Sequence, residues 1–322
     1  MASVNSTSTA NTSSSKGSKD GSSGSPGVPK PMPMAIMRNA HEVIRGAMQD
    51  IQEMLDQDDF ENARKLWHEL HRFTDLHMAM EEGRKGCNAR GIFKLVDEHA
   101  DDAAKKGKLR HSHETLYELE EDVVDIFEKA PDMDRAKDIF PIFRKENEAH
   151  LTEEEDILMP SIQKMMKQGL PIKQYIKTDI LPVLTMKEDK HDLEFFIRFA
   201  NQVLERHDNV DGKPRVRVFD HGLWALATAE EWKVWSVWIK ESLSPEKYAE
   251  VEGVIEAFEQ EQEAKKAAKE APPVESVNLR GKSPVRSKSP KRDTKSKSPK
   301  RSSSPPKSFL GKMFGMGKAA AS

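Results

Sequence analysis

From Met34 onward, apolar residues return every three or four positions, and the residues between them are chiefly Glu, Lys, Arg and Asp. That period turns one side of each segment inward and predicts amphipathic helices. The first runs to about Leu55, with Met37, Ile44, Met48, Ile51 and Leu55 in phase. After a Gln57-Asp58-Asp59 turn, a second carries Ala63, Leu66, Leu70 and Phe73 to Glu82, where Gly83 and Gly86 stop it. A short helix is expected from Gly91 to about Lys105. A third long helix starts near Leu109, passes Leu116, Val123, Val124 and Phe127, and ends at Ala130-Pro131. The fourth begins after Asp132, carries Ile139, Phe143 and Ile157, and reaches Met166 ahead of Gly169 and Pro171.

A second helical region then reads to about Lys269. Thr185-Met-Lys-Glu188 has the form of a capping box, and Ser244-Pro245-Glu246 has proline where a first helical turn accepts it. Trp224, Trp232, Trp235 and Trp238 supply bulk for packing. The two ends are rich in small polar residues and cannot bury enough apolar area to offset the entropy of ordering. The expected chain is all-α. It has a disordered segment over 1–33, an up-down four-helix bundle over 34–168, a smaller helical lobe over 169–269 and a disordered basic tail over 270–322.

Charge is unevenly spread. The formal net charge is −3, yet Leu279 to Lys318 holds thirteen Lys/Arg against one acid, Asp293, so the tail carries +12 and the rest −15. In that tail Ser283, Ser289, Ser298 and Ser304 each open Ser-Pro-x-Arg/Lys, a pattern that resembles the sites of proline-directed kinases. Each phosphate would add about −1.5 to −2 charge. The tail is expected either to touch an anionic membrane surface or nucleic acid under that control, or to serve as a solvated or nuclear-import segment. No apolar run approaches the ~18 residues of a membrane span, and the N-terminus has no apolar signal core. The single cysteine, Cys87, excludes a disulfide framework and a thiolate-built zinc site. These features predict an intracellular protein, cytoplasmic or nuclear and not secreted.

Histidine brings in the chemistry. His41, His77, His113 and His150 are separated by 36, 36 and 37 residues, about one long helix plus a turn. Each lies in phase with its apolar stripe. From His41 to Leu55 is ~21 Å of helix and from Phe60 to His77 ~26 Å, so an up-down bundle brings the rings to about one level. His77 and His150 both open His-x-x-x-Glu, with Glu81 and Glu154 one turn on, on the same helical face. Six polar groups on a bundle axis would be costly to bury without a cation. Imidazole and carboxylate without thiolate suits iron or manganese and tolerates zinc. Met80, Leu109 and Ile157 are expected to wall the site with apolar surface. Tyr117, one turn from His113, is read as packing or as a donor to a bound oxygen species.

Other patterns are weaker. His68-Glu69-Leu70-His71 is one residue short of a zinc-protease helix. Glu188-Asp-Lys-His191 is a single copy of a motif that ferritin-like sites need twice. His99, His191, His207 and His221 are read as surface or core residues. There is no phosphate-cradling loop and no nucleophile motif. Binding rather than turnover is expected, and an oxidase or peroxidase role would need a substrate that nothing in the sequence selects.

His41-Glu42, His77-Met-Ala-Met-Glu81-Glu82, His113-Glu114 and His150-Leu-Thr-Glu-Glu154-Glu155, followed by Ile157-Leu158-Met159-Pro160, together resemble the hemerythrin-like (HHE cation-binding) domain over residues 34–168. Leu223–Ala229, Glu231-Trp232 and Trp238–Tyr248 are similar to helices that follow this domain in some members. The resemblance implies two non-haem irons, with His41, His77, His113 and His150 as terminal ligands and Glu81 and Glu154 as bridges. One departure qualifies it. Oxygen-carrying hemerythrins place His-x-x-x-His on the third helix, whereas here Leu109 and Tyr117 stand four residues either side of His113. The chain is similar instead to the four-histidine, two-glutamate form in an iron-sensing F-box ubiquitin-ligase subunit. That form implies binding or sensing of iron, with dioxygen as a further ligand, rather than simple oxygen carriage. Oxygen carriers space their last histidine and carboxylate by five, which would select Glu155; symmetry with His77 and Glu81 selects Glu154, the preferred assignment. The competing class is a metal-free helical adaptor whose basic tail docks to a partner.

Overall fold

The computed structural model describes residues 35–84, 89–99, 103–185, 191–210, 213–214 and 219–270. Cys87, Glu188, the 1–33 segment and the tail with Ser283, Ser289, Ser298 and Ser304 lie outside the described residues. Within them the chain is helical, apart from an antiparallel pair of two-residue strands, Asn209–Val210 with Lys213–Pro214. No described helix is long and apolar enough to cross a membrane.

Helix α1 covers Ala35–Asp56 and α2 covers Phe60–Glu82. Asp59 caps α2 by accepting a hydrogen bond from the Asn62 N–H at 3.4 Å, so the turn foreseen at 57–59 starts the next helix as well. Gly83 ends α2 at φ +85. The chain returns through Gly91, at φ +73, to open α3 (Gly91–His99). A Cβ on Gly91 would stand 2.4 Å from the Glu81 carbonyl oxygen and 2.3 Å from the Gly83 nitrogen, so only glycine permits this crossing.

Helix α4 covers Ala103–Val124 and passes into one π turn, Asp125–Lys129. The start expected near Leu109 is therefore too late, and the expected short helix to Lys105 stops at His99. Ala103, Ala104, Lys105 and Lys106 are strong helix formers that carry the helix through Gly107. Helix α5, Met133–Lys167, runs 35 residues through Pro141 and Pro160, each of which removes one internal backbone hydrogen bond.

Helix α1 packs on α2 and α5, and α4 packs on α5. At one end, Trp67 of α2 is fully buried among aromatic neighbours, stacked on Phe127 at 5.7 Å and edge-on to Phe143 at 5.5 Å.

Downstream come α6 (Ile172–Tyr175), a π and a 3-10 turn over Ile176–Thr185, α7 (Asp192–Arg206), α8 (Phe219–Leu226), α9 (Ala229–Ser242) and α10 (Pro245–Glu270). Proline opens α10 as its Ser-Pro-Glu start foretells. The capping box that the structure shows is Thr228 with Glu231, ahead of α9. Helix α7 lies against both α1 and α2. Phe73 of α2 stacks on Phe196 of α7 at 4.5 Å, and Asp50 of α1 accepts hydrogen bonds from Arg206 and His207, each at 2.8 Å. Trp235 is buried, while Trp224, Trp232 and Trp238 pack half-buried against the core. One apolar core runs from Ile36 to Ile255.

Candidate metal centre

The helical period of α1, α2, α4 and α5 carries His41, His77, His113 and His150 inward, together with Glu81 and Glu154. All six are buried, Glu81 at 1% and Glu154 at 0% exposure. Their ligand atoms form two overlapping quartets, His41, His77, Glu81 and Glu154, and Glu81, His113, His150 and Glu154, each with its atoms within 4.8 Å of one another.

The atomic pairing is more specific. His41 Nε2 lies 3.3 Å from Glu154 Oε2, and His77 Nε2 lies 3.3 Å from Glu81 Oε1. On the other side, His113 Nε2 is 3.5 Å from Glu81 Oε2 and 3.3 Å from Glu154 Oε1, and His150 Nε2 is 3.1 Å from Glu154 Oε1. Each carboxylate thus turns one oxygen to each pair of rings. Within the pairs, the ring centroids of His41 and His77 are 5.0 Å apart and those of His113 and His150 are 4.6 Å apart.

Despite these separations, His41 Nε2, His77 Nε2, both Glu81 oxygens and Glu154 Oε2 make no hydrogen bond. Buried donors and acceptors at contact distance but without hydrogen-bond alignment carry a large desolvation penalty. Gathered nitrogen and carboxylate donors of this kind are compatible with a metal ion.

Outer partners set the rings. His41 Nδ1 donates to Glu155 Oε1 at 3.0 Å, and Arg45 Nη1 donates to the same oxygen at 2.7 Å. His113 Nδ1 donates to Glu82 Oε1 at 2.6 Å. Both bonds occupy Nδ1, turn Nε2 toward the centre and raise its basicity. Glu155 is therefore placed on the outer nitrogen of His41 and half-exposed, while Glu154 lies among the Nε2 atoms. The sequence reading missed these outer roles; the available signal was an acid immediately following each of Glu81 and Glu154.

Protonation follows the geometry. Burial opposes charge on His41, but Glu154 and Glu155 outweigh it and push the ring up to about 9. His113 likewise resists burial and rises to about 11 against Glu154, Glu81 and Glu82. His77 has no such outer acid; burial and the neighbouring His41 charge lower it to about 3. Burial, then the Glu154 charge, pushes Glu81 up to about 8. Burial would raise Glu154 too, yet the rings of His113, His150 and His41 hold it well below the carboxylate range.

The remaining expected residues fall as follows. Met80 is buried and Ile157 is half-buried against the core, while the Leu109 side chain lies outside the described set. Tyr117 is 41% exposed and lines a surface cleft rather than packing inward. His68 and His71 point away from the quartets toward Glu128, at 3.3 and 3.5 Å. No family model, curated protein or solved structure matches this chain.

Proposed function

We propose that the chain is a non-haem di-iron protein of hemerythrin-like type, in which α1, α2, α4 and α5 form an up-down four-helix bundle around a pair of irons. It binds or senses iron, with dioxygen or a related small oxidant as the further ligand. One observation carries this reading: the two quartets share Glu81 and Glu154, and each carboxylate gives one oxygen to either side. His41, His77, His113 and His150 are then terminal ligands and the two glutamates bridge.

Charge supports a pair of dications. Glu81, Glu154, Glu82 and Glu155 all lie in or directly against the ring cluster. Arg45 offsets Glu155, so the four carboxylates leave three negative charges to oppose two ions of charge +2, and buried charge is tolerated only when paired in this way. The bound pair would supply the redox chemistry toward oxygen that these side chains lack. The protein's own part is to orient four Nε2 atoms and keep bulk water out. Beside His77 and Glu81 lies an apolar cavity of about 30 Å³, walled by Ile36, Met37, Met80, Ile92 and Ile176 among others. That volume is enough for a water-sized or diatomic molecule beside His77 and Glu81.

Elemental analysis of protein purified from iron-replete medium tests the proposal. Roughly two irons per chain are expected, as in carboxylate-bridged bundle proteins. A folded variant carrying His77→Ala and Glu81→Ala should lose them. Full iron content in that variant, or none in the parent protein, would leave the metal-free adaptor as the better account.

A further inference from the structure

On the face between α2 and α4 a surface cleft of about 350 Å³ is lined by Glu118, Glu120, Glu121, Asp122 and Asp125 against a single lysine, Lys129. Lys129 is committed to Asp125 at 2.8 Å, so the cleft stays acidic. His71 reaches its floor from α2. His71, Asp75 and Glu120 hold ligand atoms within 4.8 Å of one another, with Glu120 at 8% exposure.

Glu120 has a second aspect. Besides lining the cleft, it lines an inner cavity of about 20 Å³ whose other walls include Thr74, Asn147, His77 and His150. That volume holds one water molecule or a cation of similar size. His77 is 3% exposed, and neither ring nitrogen has a hydrogen-bond partner. The buried His77 imidazole on one wall and the buried Glu120 carboxylate on another bracket this small space, whose remaining walls are chiefly apolar (Ile44, Met78, Leu116, Phe143 and Leu151). Asn147, 6% exposed, adds a further polar wall. Thr74 Oγ1, which donates to the His71 carbonyl at 2.8 Å, lies 3.5 Å from Glu120 Oε1 at the boundary between the two spaces.

We propose that His71, Asp75 and Glu120 form a capture site for a divalent cation, and that ferrous ions pass from the acidic cleft by way of Glu120 to the buried centre. The inference rests on the reading of that centre as a metal site. The acidic cleft focuses cations from solution, as a low-dielectric groove of one charge sign does. His71 and Asp75 replace part of the hydration shell, and Glu120 presents the ion to the inner cavity.

Anaerobic ferrous loading of metal-free full-length protein, followed by stopped-flow with a competing chromophoric chelator, tests the proposal. Glu120→Gln and, separately, the exposed Asp75→Asn should slow loading by roughly tenfold while leaving final iron content equal to the parent, and added salt should slow the parent but hardly affect the variants. Circular dichroism before loading confirms that each variant is folded; Asp75→Asn lies at the surface and tests the route even if Glu120→Gln fails to fold. Unchanged loading rates in folded variants would overturn the route and leave the centre intact. A parent protein that takes up no iron would instead overturn the reading of the centre.

Discussion

Glu154→Gln is the sharpest probe of the centre, with Glu155→Gln as its neighbour and control. Glutamine keeps the volume of glutamate but removes its charge. At position 154 the loss strikes His41, His113 and His150 together, at 3.3, 3.3 and 3.1 Å. In metal-free protein, removing the counter-charge of a buried pair should destabilise the fold by about 3–5 kcal/mol. In loaded protein each quartet loses one of its donors and half of its negative charge. The affinity loss at both positions should therefore exceed the roughly 10–100-fold typical of an outer partner. Glu155→Gln removes only the acceptor of His41 Nδ1–H, on a side chain 28% exposed and also held by Arg45. It should retain both irons, with weakening inside that 10–100-fold range. Dialysis against a graded chelator series, with metal content and denaturant unfolding measured on the same samples, separates the two. If Glu155→Gln loses metal as readily as Glu154→Gln, the assignment of bridging and outer roles is wrong.

Loading should release protons. Near pH 7, His41, His113 and Glu81 hold protons because their values lie at about 9, 11 and 8, whereas Glu154 and His77 do not. Ferrous uptake in weak buffer with an indicator dye should free about three protons per chain, and uptake without release would contradict the geometry. The sign for the metal-free protein also follows. His41 is raised on folding, so its contribution to stability is full below pH 6.5 and lost as pH rises through about 9. The thermal midpoint of metal-free protein should fall across that window. Gly91→Ala should cost about 1–3 kcal/mol in backbone strain and, by pressing on the Glu81 carbonyl, lower metal content. Gly169→Ala, at φ +84 with nothing within 4 Å of its Cβ, should be strained yet keep its metal.

The meeting of the six donors was legible because two periods agree. Spacings of 36, 36 and 37 residues set the level, and the in-phase apolar neighbours set the direction in which each ring points. Asp132 and Ser244-Pro245 announced helix starts because capping chemistry is local. What stayed hidden depends on context that a linear reading discounts. Glu118-Leu-Glu-Glu-Asp122 reads as a solvated acidic stretch, yet Glu120 follows Leu116 by four and precedes Val123 by three, which puts it on the buried face. The period was there to be read, but the surrounding charge masked it. The same discounting hid Glu82 and Glu155: one residue beyond Glu81 or Glu154 is about 100° round the helix, yet within reach of a neighbouring ring's outer nitrogen. The π turn at Asp125–Lys129 has no sequence signal that we can name.

The continuity of the apolar core has a consequence for how the protein is turned over. Phe73 sits one helical turn before His77, and its other face is covered by Phe196. Proteolytic removal of the chain beyond α5 would strip that cover from α2 and from the flank of α1 that α7 shields. If the centre holds iron as proposed, clipping far from the donors would loosen them and release it. Limited digestion with iron measured in the filtrate would reveal such a link.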